Sequence, residues 1–381
     1  MSKRDEILGM RVDQVGSLLR PQSLIETFLA FGNGRVSREE LDAAIKKGIR
    51  DVVAKQEKIG FPIVSDGEYE RLNWQMSFAK VEGWDLDTFS WKGFLANPSL
   101  RYEHEHGNQL GADAVEVFKT PATAKLRLTS NFPLEEYEYL ASVAKAPAKA
   151  MIMGPDRVSQ MCDLAASAPH YASADDFLAD VVRIQSEMVK GLVDAGCPYV
   201  QLDEPSYTGY VDRATLERMK SRGEDPLANL HRAIAASNGV IEAHQGKSVF
   251  GMHICRGNRA SMWHREGAYD GIAEELFSSL KFDRLLLEYD TERSGGFEPL
   301  RFVPKGPTVV LGLVTTKTGE VESVDMLTRR IEDAARFIDI DQLAISPQCG
   351  FASGISGNDL TEDQQWRKME ALLETARKVW S

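Results

Sequence analysis

Eight short, mostly apolar runs recur along the chain, and stretches with helical periodicity separate most of them. The runs are 11–17 (RVDQVGS), 62–68 (PIVSDGE), 149–154 (KAMIMG), 198–204 (PYVQLDE), 248–255 (SVFGMHIC), 284–290 (RLLLEYD), 308–314 (TVVLGLV) and 342–349 (QLAISPQC). The run at 308–314 is almost purely apolar, the pattern of a parallel strand covered on both faces. Amphipathic helices are expected near 38–59, 134–147, 172–195, 213–238, 322–338 and 361–379. Ser37 three residues before Glu40 reads as a capping box, and Thr361 before Glu362 and Asp363 places acids in a first helical turn. Strands alternating with helices predict an α/β fold, a (β/α)8 TIM barrel, with a doubly wound open sheet as the competing topology.

Residues 82–132 break this rhythm. They are rich in aromatics, charges and short alternating segments such as AVEVFKT and AKLRLTS. The segment reads as a β-rich insertion between the second and third strands of a single catalytic barrel domain spanning 1–381.

The net charge of −12 argues against nucleic acid or an anionic membrane as the main partner. No apolar run is long enough for a signal peptide or a membrane span, and the expected location is cytoplasmic. Only four cysteines occur, Cys162, Cys197, Cys255 and Cys349, which is not a disulfide framework. Cys197, at a helix–strand turn, and Cys162, in a segment that reads as helical, are expected to be structural.

Polar or reactive residues close nearly every proposed strand: Ser17, Asp66 and Glu68, Asp203 and Glu204, His253 and Cys255, Glu288 and Asp290, Thr315 to Lys317, and Cys349. In a (β/α)8 barrel these ends converge on the face that holds the active site. His253 and Cys255 lie two apart on one strand and so point the same way. Together with Glu288 and Cys349 they supply the imidazole, thiolate and carboxylate donors that zinc takes in tetrahedral array. Two thiolates and a carboxylate make an electron-rich zinc, a poor polariser of carbonyls but a good holder of a nucleophilic thiolate. Glu68 and Asp203 suit an ammonium group, and Ser17 with nearby backbone N–H groups suits a carboxylate. A thiol, an amine and a carboxylate together describe an amino-acid thiol such as homocysteine. Arg71, Asn73 and Trp74 are candidates to line the same pocket, and Asp290 and Arg293 to support the metal. His104 and His106, an HxH pair inside the insertion, read as exposed.

The stretches VGS (15–17), SDGEYER (65–71), QLDEP (201–205), HIC (253–255), LLLEYD (285–290) and SPQCGF (346–351) together resemble the catalytic, C-terminal barrel of cobalamin-independent methionine synthase. They occur in that family's order from the first strand to the last. The resemblance implies a zinc enzyme that methylates homocysteine to methionine, with metal ligands at His253, Cys255, Glu288 and Cys349. It also implies homocysteine contacts at Ser17, Glu68 and Asp203. The full-length family enzyme has two barrel-like halves, and the matching stretches are expected to be those of the catalytic one. Lys317 stands where the family's catalytic histidine is expected, and the segment MGPDRVSQMCDLAAS (153–167) has no counterpart of a folate-contacting tryptophan. The pattern is similar to single-domain relatives, some of which take methyl from a corrinoid protein instead of 5-methyltetrahydrofolate. Others, such as epoxyalkane:coenzyme M transferase, join a different thiol to a different electrophile.

Overall fold

The computed structural model describes residues 3–84 and 119–380. Among them are a two-stranded antiparallel sheet, β1 (Val81–Trp84) with β2 (Ala122–Leu128), and a six-stranded sheet. The larger sheet runs β3 (Lys149–Met153), β4 (Tyr199–Asp203), β5 (Val249–Ile254), β6 (Arg284–Glu288), β7 (Thr308–Val314) and β8 (Leu343–Pro347), all parallel and in chain order. Every residue of these six strands is buried. Such strands need apolar side chains on both faces, which is why their sequences are near-continuous hydrophobic runs.

The first two predicted strands are corrected in form though not in place. They join the sheet only through isolated parallel bridges, Val12 to Ile345 of β8 and Val64 to Ala148 beside β3. The seam between them is closed by Leu18 N–H donating to Gly67 O at 3.1 Å and by side chains. Gln14 Nε2 donates to Ile63 O at 2.7 Å, and Ser65 Oγ to Gly16 O at 2.6 Å. The local reason is backbone geometry: Gly16, Gly67 and Glu68 all have positive φ, and Pro62 has no N–H to give a ladder. The six parallel strands and the two bridged segments make an α/β fold consistent with a (β/α)8 barrel.

The helices follow their caps. Ser37 and Glu40 form the expected capping box of Arg38–Ile59, and Gly60 ends that helix in the left-handed region. Thr361 and Gln364 make a second reciprocal cap before Glu362–Trp380. The helix expected over 213–238 is two, Arg213–Ser221 and Pro226–Ile241, because Gly223 turns the chain and Asp225 caps a helix that starts with Pro226. Short helices at Lys3–Leu8, Gln22–Gly32 and Ala273–Ser279 were not anticipated. Cys162 is not helical: it follows Pro155–Gln160 and bridges to Thr120, its thiol 3.5 Å from Ser167 Oγ. The flanks of the 82–132 segment are β-structure, as β1 and β2 show, while His104 and His106 lie outside the described residues. No helix among the described residues is long and apolar enough to cross a membrane.

Candidate metal centre and its cleft

His253 lies one residue before the end of β5, Cys255 one residue after it, and Cys349 two residues past β8. One donor atom from each lies within 4.8 Å of the others, and all three residues are buried. Asp203 pairs in register with His253, and its Oδ1 accepts from His253 Nδ1 at 3.1 Å. A carboxylate on one ring nitrogen fixes the imidazole, and Nε2 lies 3.2 Å from Gln348 O, a contact that metal binding would replace. The same Oδ1 accepts from Gln201 Nε2 at 2.7 Å, so Oδ2 of Asp203 stays available to a ligand.

The two thiols adjoin each other within this group. A hydrogen bond from Cys255 lowers the Cys349 thiol against the effect of burial, while that same bond raises Cys255. Two adjacent buried sulfurs, one already biased to thiolate, and an oriented imidazole are the donor chemistry of a soft or borderline divalent metal.

Glu288, the last residue of β6, is fully buried but is not part of this three-residue group. Its Oε1 accepts from Arg293 Nη2 at 2.5 Å and its Oε2 from the Arg256 backbone N–H at 2.5 Å. Burial raises its carboxyl, and Lys317, Arg256 and Arg293 outweigh burial and hold it below the usual range. Arg293 also approaches Asp290 at 3.4 Å and lies over the Trp263 ring.

The residues expected to grip substrate border the same face. Ser17 Oγ accepts from Ala352 N–H at 3.3 Å, and a Cβ on Gly350 would lie 1.8 Å from that oxygen. Only glycine lets the loop after Cys349 pack onto the first segment. Glu68 has φ of 58°, a left-handed conformation uncommon for a side-chain-bearing residue. Its Oε1 accepts from Arg71 Nη1 at 3.0 Å, and Arg71 in turn forks onto Glu136 with 2.8 and 2.7 Å bonds. Burial pushes the Glu68 carboxyl up to about 7, and Asp203 and Asp66 add to that push against Arg71. Asn73 caps the short turn Trp74–Phe78, and Trp74 packs on the cluster around Phe78 and Trp84. Lys317 is buried after β7, and its Nζ has no hydrogen-bond partner among the described residues.

Sequence reasoning missed Glu136, which sits on the helix Phe132–Val143 and reaches Arg71 only through the fold.

Residues 115–362 match the family model described as cobalamin-independent synthase, catalytic domain. The uncharacterized protein YxjH of Bacillus subtilis is 36% identical over 372 residues, covering 97% of this chain and 94% of its own. The methionine synthase of Pyrococcus abyssi is 24% identical over 88% of this chain and 84% of its own. A B12-independent methionine synthase from Shewanella sp. W3-18-1, solved with selenomethionine, superposes with a TM-score of 0.68 at 21% identity over 97% of both chains. The chain belongs to the cobalamin-independent synthase catalytic-domain family, a family of methyltransferase enzymes.

Proposed function

We propose that this chain is a zinc-dependent S-methyltransferase that moves a methyl group onto the thiol of homocysteine to give methionine. The observation that carries this reading is the convergence of His253, Cys255 and Cys349 donors within 4.8 Å at the strand ends of a family member whose relatives include proteins named methionine synthase. In this reading His253, Cys255 and Cys349 hold zinc, with Glu288 as the fourth ligand once it is drawn from Arg293. Zinc, when bound, keeps a coordinated thiol deprotonated near neutral pH while leaving its sulfur nucleophilic. Asp203 fixes His253 through Oδ1 and offers Oδ2 to the substrate ammonium, which Glu68 shares. Ser17 and the backbone N–H groups beside it receive the carboxylate. Lys317 holds a proton at Nζ for the leaving group, as the new S–C bond forms and the donor's bond to methyl breaks. The whole chain acts as one catalytic barrel domain, with the segment near 82–132 as its excursion.

The donor is 5-methyltetrahydrofolate or a methylcorrinoid, the latter bringing a corrinoid protein as partner. Lys317 favours a second reading, a thiol alkyltransferase that uses another thiol or alkyl donor. The test is zinc stoichiometry by elemental analysis, followed by X-ray absorption with and without homocysteine. One zinc per chain and one added sulfur neighbour are expected. Protein that is fully active without zinc removes the first reading. Methionine formed from neither donor, with the zinc and sulfur results intact, selects the second.

A further inference from the structure

We propose that Glu136 is a positioning residue for Glu68 and acts through Arg71: by occupying one edge of that guanidinium it leaves a single N–H for the Glu68 carboxylate, and so keeps that carboxylate open to a cationic group of the substrate. The inference rests on the reading of Glu68 as an ammonium contact. It adds a residue of the helix Phe132–Val143 to the binding of the thiol substrate.

Glu136 lies on the buried face of its helix with Phe132, Pro133, Tyr137 and Leu140, where a carboxylate needs a partner. Arg71 is that partner. Its Nε donates to Glu136 Oε1 at 2.8 Å and its Nη2 to Oε2 at 2.7 Å, a two-pronged contact that fixes the guanidinium plane. Nη2 also donates to Met151 O of β3 at 2.7 Å. Nη1 donates to Glu68 Oε1 at 3.0 Å and reaches Trp74 O at 3.5 Å. The five donors of the guanidinium are thus all directed, and only one of them serves Glu68. Arg20 braces the turn through the backbone, with Nη2 on the carbonyls of Glu68 at 2.5 Å and Arg71 at 2.7 Å. The backbone of Glu68 is held by Arg20, its side chain by Arg71, and Arg71 by Glu136.

A buried ion pair built for stability alone needs one acid for each cation. Here Arg71 stands between two acids, and all three side chains are buried. The surrounding charges do not redress this. Asp66 and Asp203 add negative charge around Glu68, and Arg20 bonds to carbonyls instead of the carboxylate. Asp66 and Glu70 add negative charge around Glu136. Glu136 also lines a cleft with Arg38, Lys46 and Lys80, but Arg38 is bonded to Asp42 at 2.7 Å, Lys80 to Glu135 at 2.6 Å, and Lys46 lies over the Tyr139 ring. Burial pushes the Glu68 carboxyl up to about 7 and that of Glu136 up to about 8, with Arg71 pulling against burial at both. Released from Glu136, Arg71 could turn its fork onto both oxygens of Glu68. That would neutralise the carboxylate and fill the edge that an ammonium group must reach.

The experiment compares Glu136→Gln with the unsubstituted, zinc-loaded protein in two ways. Homocysteine kinetics are followed across neutral pH, and the Glu68 carboxyl is titrated by infrared difference spectroscopy, its band assigned with Glu68→Gln. The infrared midpoint of Glu68 should move down by about one pH unit in Glu136→Gln, the effect of gaining a whole cation. The KM for homocysteine should then change about twofold, instead of about fivefold, between pH 7 and pH 6. At pH 8 that KM should rise about fivefold with kcat little changed, less than the loss of Glu68 itself. Glu136→Asp, which keeps the charge but shortens the reach, should fall between the two. A Glu68 midpoint that stays or moves up in Glu136→Gln, or a loss confined to kcat, overturns the positioning role. The infrared titration needs no substrate. A midpoint that moves while KM follows pH in neither protein therefore leaves the coupling standing and removes Glu68 as the ammonium contact instead. Circular dichroism checks folding, and should Glu136→Gln unfold, Glu136→Asp decides by the same readings, an unmoved midpoint overturning the proposal.

Discussion

The two ends of the parallel sheet bury comparable charge and treat it in opposite ways. At the N-terminal end Asp13 is fully buried between Lys149 Nζ at 2.9 Å and Arg284 Nε at 3.0 Å, and it accepts from Tyr199 OH at 3.0 Å. Arg284 spends its remaining donors on the carbonyls of Ile7 at 3.0 Å and Met10 at 3.2 Å, which fastens the N-terminal segment across the ring. Lys149, Tyr199 and Arg284 are each the first residue of their strand. At the C-terminal end the Cys255 and Cys349 thiols adjoin each other, Lys317 Nζ is unpartnered among the described residues, and Glu68 holds a left-handed backbone. A saturated polar network rigidifies a fold, whereas unsatisfied buried groups are a standing cost that a ligand can relieve. One end is finished as structure and the other is left incomplete.

The sharpest break of this contrast is Cys349→Ser. It removes a thiolate from the group of three, so zinc affinity should fall by more than about 100-fold, the upper range for losing a mere supporting partner. Methyl transfer should fall with it, while the urea midpoint of the metal-free protein hardly moves. Asp13→Asn should do the reverse. It leaves Lys149 and Arg284 buried with no anion, which should cost about 3–5 kcal/mol in urea unfolding. The folded fraction should still bind one zinc. If Cys349→Ser destabilised the metal-free chain as much as Asp13→Asn, the two ends would not differ in kind.

A smaller effect comes from Glu68. Burial raises its carboxyl to about 7, so the ionised form that attracts an ammonium group is present above that pH and is lost below it. The KM for homocysteine should therefore rise about fivefold between pH 7 and pH 6, following the ionised fraction. Glu68→Gln should abolish that dependence and raise KM at pH 8 by about tenfold, the loss of one charge-assisted bond. A wild-type KM that is flat across this range would take Glu68 out of substrate binding.

How far the sequence revealed these features depended on distance along the chain. β3 to β8 were readable because strands buried on both faces leave runs such as TVVLGLV. His253 and Cys255 were readable because strand alternation turns a spacing of two into one direction. The first two segments were readable in place but not in form, because the seam between them is closed largely by Gln14, Gln56 and Ser65 side chains that only the folded chain brings near. The orientation of Glu288 toward Arg293 and the Arg71–Glu136 fork, 65 residues apart, belong to the same class. The break at Gly223 to Pro226 was visible, since glycine, a capping Asp and a following Pro are stop and start signals.

The smallest prediction uses one residue type at both ends. Cys197 lies at the start of β4's segment, buried, with its thiol donating to Tyr199 O at 3.2 Å. Burial pushes that thiol up to about 12, so it is neither a nucleophile nor a ready ligand. Cys349 is equally buried, yet Cys255, His253 and Lys317 bias it toward thiolate. What separates them is the charge each end of the barrel places around sulfur. Cys197→Ala should therefore cost about 1 kcal/mol, the loss of one weak hydrogen bond and a little packing. It should leave zinc stoichiometry and turnover as they are, whereas Cys255→Ala removes both. Zinc content that fell in Cys197→Ala would mean that the N-terminal end takes part in metal binding, and the division between the two ends would have to be redrawn.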